Sequence, residues 1–392
     1  MSEFGSLLSR RPEVPAGAVG GDGHVLPPAF PPCLPPETDP FIDDMPGGTM
    51  THTAEKYALK ELNLETTFGG MGREVEGDIP VIDLSDFERR REEITDQLWQ
   101  AATDVGFFQL SNHGLELDLI KQAFALSERF FALPESSKQQ YPLKKGLNSG
   151  WEFRSQVRPS TGTADEKESF QITLPHMDDL WPNQTVVPEF SRVMLDFENR
   201  AWQLGMTVLS CFAERLGFER DFFTRAHDRR LEDYQSTLRL LHYLPLADDA
   251  RLDESIWRAG AHTDFDCLTM VFQQEGQGGL QVSPGKDAEG KGDDREWFTV
   301  TPKEDRITCN IGDMLMRWSD DRLKSTLHRV RMPKEGDYKG PRYSMAFFCQ
   351  ANKEQIIQGP EKKYPPISAR DYLLQRIQAN FDAAEKAAEA RK

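Results

Sequence analysis

The sequence predicts an α+β, β-rich fold: a jelly-roll core with flanking helices. Three observations carry this expectation. From residue 236 to about 350 the chain breaks into eight short apolar runs separated by Gly, Pro and Asp clusters, the pattern of a sandwich or barrel. Ahead of that region, apolar residues recur at steps of three and four, the period of helices with one buried face. The 392 residues are 38% hydrophobic and include 24 Phe and 7 Trp, which is enough for a sizeable core and excludes global disorder.

Residues 1–49 are rich in Pro and Gly and show neither helical nor strand period, so a disordered leader is expected there. A partly ordered extension is expected at 50–77, and the N-terminal helical region at 78–235. That region should open with a strand near Ile79 to Leu84, followed by Ser85 or Asp86 as helix cap and by an apolar stripe of Ile94, Leu98, Ala101 and Val105. Gly106 should end this helix. Phe107 to Leu110 reads as the next strand, and Asn112-His113-Gly114 as a tight turn in which Gly accepts a positive φ. A second amphipathic helix carries Leu117, Ile120, Phe124 and Phe131 and stops at Pro134. Residues 145 to 188 read as loop-rich, and Val193, Phe197, Leu204, Val208, Phe212 and Leu216 then mark a helix of about 25 residues, the spine on which the sheet packs.

The expected core, 236–378, holds the runs Leu238 to Leu244, Leu268 to Phe272, Gly279 to Val282, Trp297 to Val300, Ile307 to Ile311, Met314 to Trp318, His328 to Met332 and Tyr343 to Cys349. Gly285 to Arg295 reads as a solvated loop. A last helix should open near Ser368, with Asp371 as a capping-box-like partner and Leu373, Ile377 and Phe381 on its apolar face. Its end, 379–392, should fray.

A formal net charge of −17 makes nucleic acid or an anionic membrane an unsuitable partner, because phosphate binding needs clustered Lys and Arg. The five cysteines are scattered, without any C-x-x-C spacing, which points to a reducing compartment and no disulfide frame. No apolar stretch reaches the roughly 20 residues of a membrane span. The expectation is a cytoplasmic protein with a small-molecule substrate and no obligate protein partner.

The chemical signal is an ordered set: His262, Asp264, His328, Arg342 and Ser344. His262 and Asp264 end a strand-like run and, two apart, share a face; His328 opens another run 66 positions later (328 − 262). Two imidazoles and one carboxylate bound facially leave three octahedral positions free, the arrangement of non-haem Fe(II) oxygenases, although zinc sites use the same donors. A jelly roll would bring the two runs face to face. His176 and Asp178 have the same spacing but lie in a loop-rich stretch with no downstream partners. His24 and His52 lie in or near the leader, His113 in a turn, His227 in polar context, and His242 on a strand with no carboxylate two positions away. Arg342 and Ser344 share a face with Ala346 and Phe348, and an arginine fork there suits an external carboxylate or a distant Asp or Glu.

These residues, with Gly278-Gly279-Leu280-Gln281-Val282, Asn310-Ile311-Gly312-Asp313, Lys324 to Val330 and Gly106-Phe107-Phe108-Gln109-Leu110-Ser111-Asn112-His113-Gly114, resemble the Fe(II)/2-oxoglutarate dioxygenases of the isopenicillin N synthase-like family. The likeness spans roughly residues 78 to 378, in family order, and is strongest toward fungal members such as thymine 7-hydroxylase. It implies a double-stranded β-helix with His262, Asp264 and His328 on Fe(II). It also implies Arg342 and Ser344 on the distal carboxylate of 2-oxoglutarate, with O2 as the other cosubstrate. The family's tyrosine before a proline maps to Tyr243, with Leu244 intervening before Pro245; parity with Arg239 favours Tyr243. The likeness further implies a substrate pocket lined by Arg239, Phe265 and Phe348. Phe265 replaces the commoner Tyr, and Asp266 a usual Gly. Arg154, Arg158 and Phe153 are further candidates for contact with an anionic, carbonyl-bearing or planar substrate.

Hydroxylation is the default outcome implied, with desaturation or ring chemistry as variants, in natural-product tailoring or nucleobase oxidation. Two rival readings stay open from the residues: an Fe(II) oxidase on the same scaffold that uses no 2-oxoglutarate, and a zinc hydrolase or silent binding module.

Overall fold

The computed structural model describes residues 72–144, 146–154, 165–245, 257–283 and 295–378. The expected leader, His24, His52, most of the extension at 50–77, Arg158, residues 285–294 of the expected loop, Phe381 and the expected frayed end lie outside them.

In chain order the elements are β1 (Arg73–Glu74), β2 (Val81–Asp83), α1 (Phe87–Asp104), β3 (Phe107–Ser111), α2 (Leu117–Phe131), α3 (Glu135–Lys138), β4 (Gly150–Phe153), β5 (Lys167–Ile172), α4 (Phe190–Leu216) and α5 (Phe222–Ala226). There follow β6 (Thr237–Tyr243), β7 (Ala259–His262), β8 (Leu268–Gln273), β9 (Leu280–Val282), β10 (Glu296–Thr299), β11 (Ile307–Ile311), α6 (Asp313–Trp318), β12 (His328–Val330), β13 (Arg342–Cys349), β14 (Ile356–Ile357) and β15 (Ile367–Ser368). Residues 369–378 are helical.

Eight strands form one sheet in the order β2-β3-β11-β8-β13-β6-β5-β4, and five form a second in the order β1-β10-β9-β12-β7. A shared apolar cluster joins them: Leu241, Ala346 and Phe107 of the larger sheet pack with Leu280, Val282 and Val330 of the smaller. The outer face of the larger sheet is covered by helices. Ile94, Leu98 and Ala101 of α1 are buried, as their spacing predicts, and so are Ile120, Phe124 and Phe131 of α2, whereas Leu117 at its first turn is exposed. Helix α4 lies across β8 and β13. The Phe197 ring meets Phe272 edge-on at 4.8 Å, and a Cβ at Gly205 would stand 2.5 Å from Cys349 Sγ, so glycine here sets how closely the spine approaches the sheet. Gly106 ends α1 at φ +78°, where an added Cβ would run into the Lys324 carbonyl.

Four expectations are corrected. Met314 to Trp318 is the helix α6, not a strand. The first backbone N–H groups of a helix lack intrahelical acceptors, and here Asp313 and Met314 donate theirs to the Asp264 and Asp266 carbonyls at 2.8 and 3.1 Å. That capping pins α6 under the loop that carries Asp264 and Asp266. The stretch read as loop contains β4 and β5, a hairpin that extends the larger sheet through β6; its inward face is polar, which hid the alternation. Arg295, counted in the solvated loop, is buried. In the C-terminal helix the buried residues are Ala369, Tyr372 and Arg376 rather than Ile377, which is exposed.

His227, read as lying in polar context, is fully buried just after α5, its Nδ1 2.7 Å from the Phe223 carbonyl oxygen. Burial pulls its pKa down to about 4. The unfolded chain, with an ordinary imidazole near 6.5, takes up the proton first, so this contribution is intact above that pH and is lost as pH falls toward 4, about 3 kcal/mol in all. Urea unfolding at pH 7 and pH 4.5 should show that loss in the unaltered chain and a smaller one in His227→Gln; equal losses would dismiss the residue as the source.

Candidate metal centre

Strand β7 ends at His262, and the two residues beyond it bring Asp264 back to the same side. His328, first residue of β12, is the direct register partner of His262. The two histidines are therefore neighbours in one sheet, not opposed across two sheets as expected; the antiparallel pairing alone sets their ring centroids 4.3 Å apart. One ligand atom from each of His262, Asp264 and His328 lies within 4.8 Å of the others. The Asp264 oxygens stand 3.8 Å from His262 Nε2 and 3.7 Å from His328 Nε2.

The surroundings fix which atoms are offered. His262 Nδ1 lies 2.7 Å from the Gly260 carbonyl oxygen and His328 Nδ1 3.2 Å from that of Thr326. A carbonyl only accepts, so each Nδ1 carries the proton and each Nε2 keeps its lone pair for a cation. Asp264 Oδ2 accepts from Thr269 Oγ1 at 2.7 Å and Asn310 Nδ2 at 2.8 Å, which orients the carboxylate. The Phe107 ring packs edge-on against His328 at 5.4 Å. Asp266 is buried with its carboxyl oxygens 3.1 and 3.2 Å from the same Thr269 hydroxyl, and burial, together with the Asp264 charge, pushes its pKa well up. Behind the loop, buried Asp313 pairs with buried Arg376 of the C-terminal helix; Thr263 Oγ1 donates to Asp313 at 3.1 Å, and the Arg376 guanidinium sits 4.6 Å over the Phe265 ring.

On β13, Arg342, Ser344, Ala346 and Phe348 alternate inward, and antiparallel pairing puts Tyr243 opposite Arg342, Leu241 opposite Ser344 and Arg239 opposite Ala346. Tyr243 thus shares the Arg342 face, and its ring lies 4.7 Å beneath the guanidinium. Arg342 is 1% exposed. Its Nε donates to the Gln277 and Gly278 carbonyls at 3.0 and 3.2 Å and its Nη1 to Ser344 Oγ at 3.3 Å. Among the described residues no carboxylate pairs with it in the structural ion pair weighed as the alternative. Burial lowers its pKa, and Tyr243 opposes that shift.

Further along the same face, Arg239 stacks over Phe348 at 5.0 Å and donates to Asn148 Oδ1 at 3.3 Å. Phe348 is the register partner of Thr269, which holds Asp264, so this pair lies toward Asp264. Glu152 Oε1 accepts from Ser169 Oγ at 2.7 Å and Gln171 Nε2 at 2.6 Å, and Gln171 is the partner of Arg239. Arg154 and Phe153 instead turn outward: Arg154 pairs with Glu166, and Phe153 is exposed. His176 and Asp178 join no metal-type cluster among the described residues. Thr269 and Asn310 were given no role from the sequence, although each is a polar residue inside an apolar strand run. The Gly260 and Thr326 carbonyls carry no side-chain signal.

Residues 79–188 match the family described as non-haem dioxygenase in morphine synthesis N-terminal, and 234–351 match the 2OG-Fe(II) oxygenase superfamily. The 2-oxoglutarate-Fe(II) type oxidoreductase hxnY of Emericella nidulans is 30% identical over 341 residues, covering 78% of this chain and 91% of that protein. The chain belongs to the 2OG-Fe(II) oxygenase superfamily. It is an Fe(II)- and 2-oxoglutarate-dependent dioxygenase, which sets aside the oxidase and zinc readings. A UPF0676 protein of Schizosaccharomyces pombe is 33% identical, over 65% of the dioxygenase and 77% of that relative. Full-length Neurospora crassa thymine 7-hydroxylase in complex with alpha-KG superposes with a TM-score of 0.67 at 30% identity, covering 78% of this chain and 98% of that one; the Neurospora enzyme has also been solved with thymine.

Proposed function

We propose that His262, Asp264 and His328 hold the ferrous ion, and that Arg342, Ser344 and Tyr243 hold the distal carboxylate of 2-oxoglutarate. Arg239, Phe348 and the face of Phe265 turned from Arg376 line the space for a small organic substrate. The observation that carries this reading is the convergence of three ligand atoms within 4.8 Å, with both Nδ1 atoms committed to carbonyls. Such a donor set fits a divalent ion that must keep positions open. With iron, keto acid and O2 bound, the centre supplies oxidative decarboxylation to succinate and CO2 and the oxidation of a C–H bond.

The chain's own residues bind and orient. Thr269 and Asn310 keep the Asp264 carboxylate from rotating. Arg342, desolvated and flanked by Ser344, sets how deep the keto acid sits. Arg239 offers planar donors to a substrate carbonyl or carboxylate, and Phe348 a flat apolar face, so a small ring-bearing or planar molecule with at least one acceptor suits the wall. The two sheets are read as the walls of a double-stranded β-helix, with 236–378 as the catalytic core and 78–235 as the helical region. The −17 charge argues against nucleic acid, and among the described residues no helix is long and apolar enough to cross a membrane. A cytoplasmic role in tailoring secondary metabolites, without an obligate protein partner, completes the proposal.

The test is a screen of small lactams, nucleobases and cyclic amino acids for succinate formed above the substrate-free background. With a hit in hand, Arg239→Met should lose the substrate-stimulated succinate by about tenfold or more, the worth of one charged hydrogen bond, while substrate-free turnover of 2-oxoglutarate persists. Loss of both together would remove Arg239 from the substrate wall.

A further inference from the structure

Arg258, at the mouth of β7, was not singled out from the sequence. It is 2% exposed, and its Nη2 donates to the Gly340 carbonyl at 3.2 Å, two residues before Arg342. Its Nε is buried without an acceptor, and among the described residues no carboxylate pairs with it. The next residue, Ala259, packs in the same apolar cluster as Tyr243, whose ring underlies Arg342. We propose that Arg258 is a second cationic anchor of the cosubstrate pocket, so that two buried guanidiniums, not one, face the distal carboxylate of 2-oxoglutarate. This rests on the assignment of Arg342 to that carboxylate.

The physical case is one of uncompensated charge. A guanidinium carries five N–H donors, and a buried donor without an acceptor is costly. A buried cation is usually matched by an anion. Neither Arg258 nor Arg342 has a carboxylate partner among the described residues, and burial, then the Arg342 charge with that of Arg331 behind it, bring the Arg258 pKa down to about 10, opposed by Tyr243 and Tyr338. A carboxylate entering between them relieves both. A monocarboxylic 2-oxo acid, which keeps the keto-acid end but lacks the distal group, gains nothing from either arginine.

The experiment is calorimetric titration of the full chain, loaded with Mn(II) under argon, with 2-oxoglutarate and with 2-oxopentanoate. Arg258→Gln should weaken 2-oxoglutarate binding about tenfold and leave 2-oxopentanoate within about twofold, since only a charge-assisted contact to the distal group is lost. Arg258→Lys, which keeps the charge but not the fork, should fall between. Unchanged 2-oxoglutarate affinity in Arg258→Gln, or equal weakening of both acids, overturns the proposal. Should Arg258→Gln not fold by circular dichroism, Arg258→Lys decides: a loss confined to 2-oxoglutarate supports the anchor, and an equal loss of both acids overturns it. Arg342→Leu separates the two assignments. If it loses 2-oxoglutarate while Arg258→Gln does not, only the Arg258 role fails; if it binds normally, the pocket assignment itself fails.

Discussion

Asp264→Ala should end substrate-dependent succinate formation, a fall of about a thousandfold or more, because removing a ligand costs more than the 10- to 100-fold typical of residues that merely support one. Two imidazoles at 4.3 Å ring separation cannot hold a divalent ion facially without the third donor. Metal content after gel filtration should fall in parallel with activity. The fold should survive, since Asp264 lies beyond the end of β7 and is not part of the sheet-spanning apolar cluster. Some stability should be lost all the same: Asn310 Nδ2 loses its acceptor, a cost of about 1 to 3 kcal/mol if water does not replace it, whereas Thr269 Oγ1 keeps the Asp266 carboxyl. Retained metal with full turnover would refute the ligand assignment. Asp264→Asn is the informative partner, because it preserves volume and one acceptor oxygen while removing the charge.

Arg342→Leu should raise the 2-oxoglutarate concentration needed for half-maximal rate by about 10- to 100-fold, the range of a charged hydrogen bond of 1.5 to 3 kcal/mol. The corresponding value for the prime substrate should move little, since Arg239 and Phe348 lie further along the sheet face. Stability is a separate quantity here. Leucine frees the chain from burying a cation that meets no carboxylate among the described residues, but strands the Gln277 and Gly278 carbonyls that now accept from Arg342 Nε; the two effects oppose. Equal rises for both substrates would argue that the substitution distorts the strand rather than the keto-acid contact.

Much of this was legible in the chain. Side-chain parity placed Arg239 and Tyr243, and Arg342 with Ser344, on common faces, and the register of β6 against β13 joins those faces as one. Helical period gave α1, α2 and α4 because the residues that mark their buried faces are apolar. Legibility failed where burial is polar. The β4–β5 hairpin buries Glu152, Lys167, Ser169 and Gln171, so no apolar alternation marked it. Met314 to Trp318 is mostly apolar, and a run that short carries no period; the ligand loop's carbonyls, which only the fold brings near, decide for helix. Arg258 and Arg376 look like surface arginines in the bare sequence, since a buried charge is recognised only by what surrounds it.

The grip of Arg376 on Asp313 and Thr263 bears on the order of assembly. Thr263 sits between His262 and Asp264, yet the guanidinium that steadies it arrives 113 positions later. A nascent chain that has already made both histidines and the aspartate still lacks the clamp behind them. On the proposed ligand assignment, a chain cut short of residue 376 should therefore hold the segment between His262 and Asp264 less firmly.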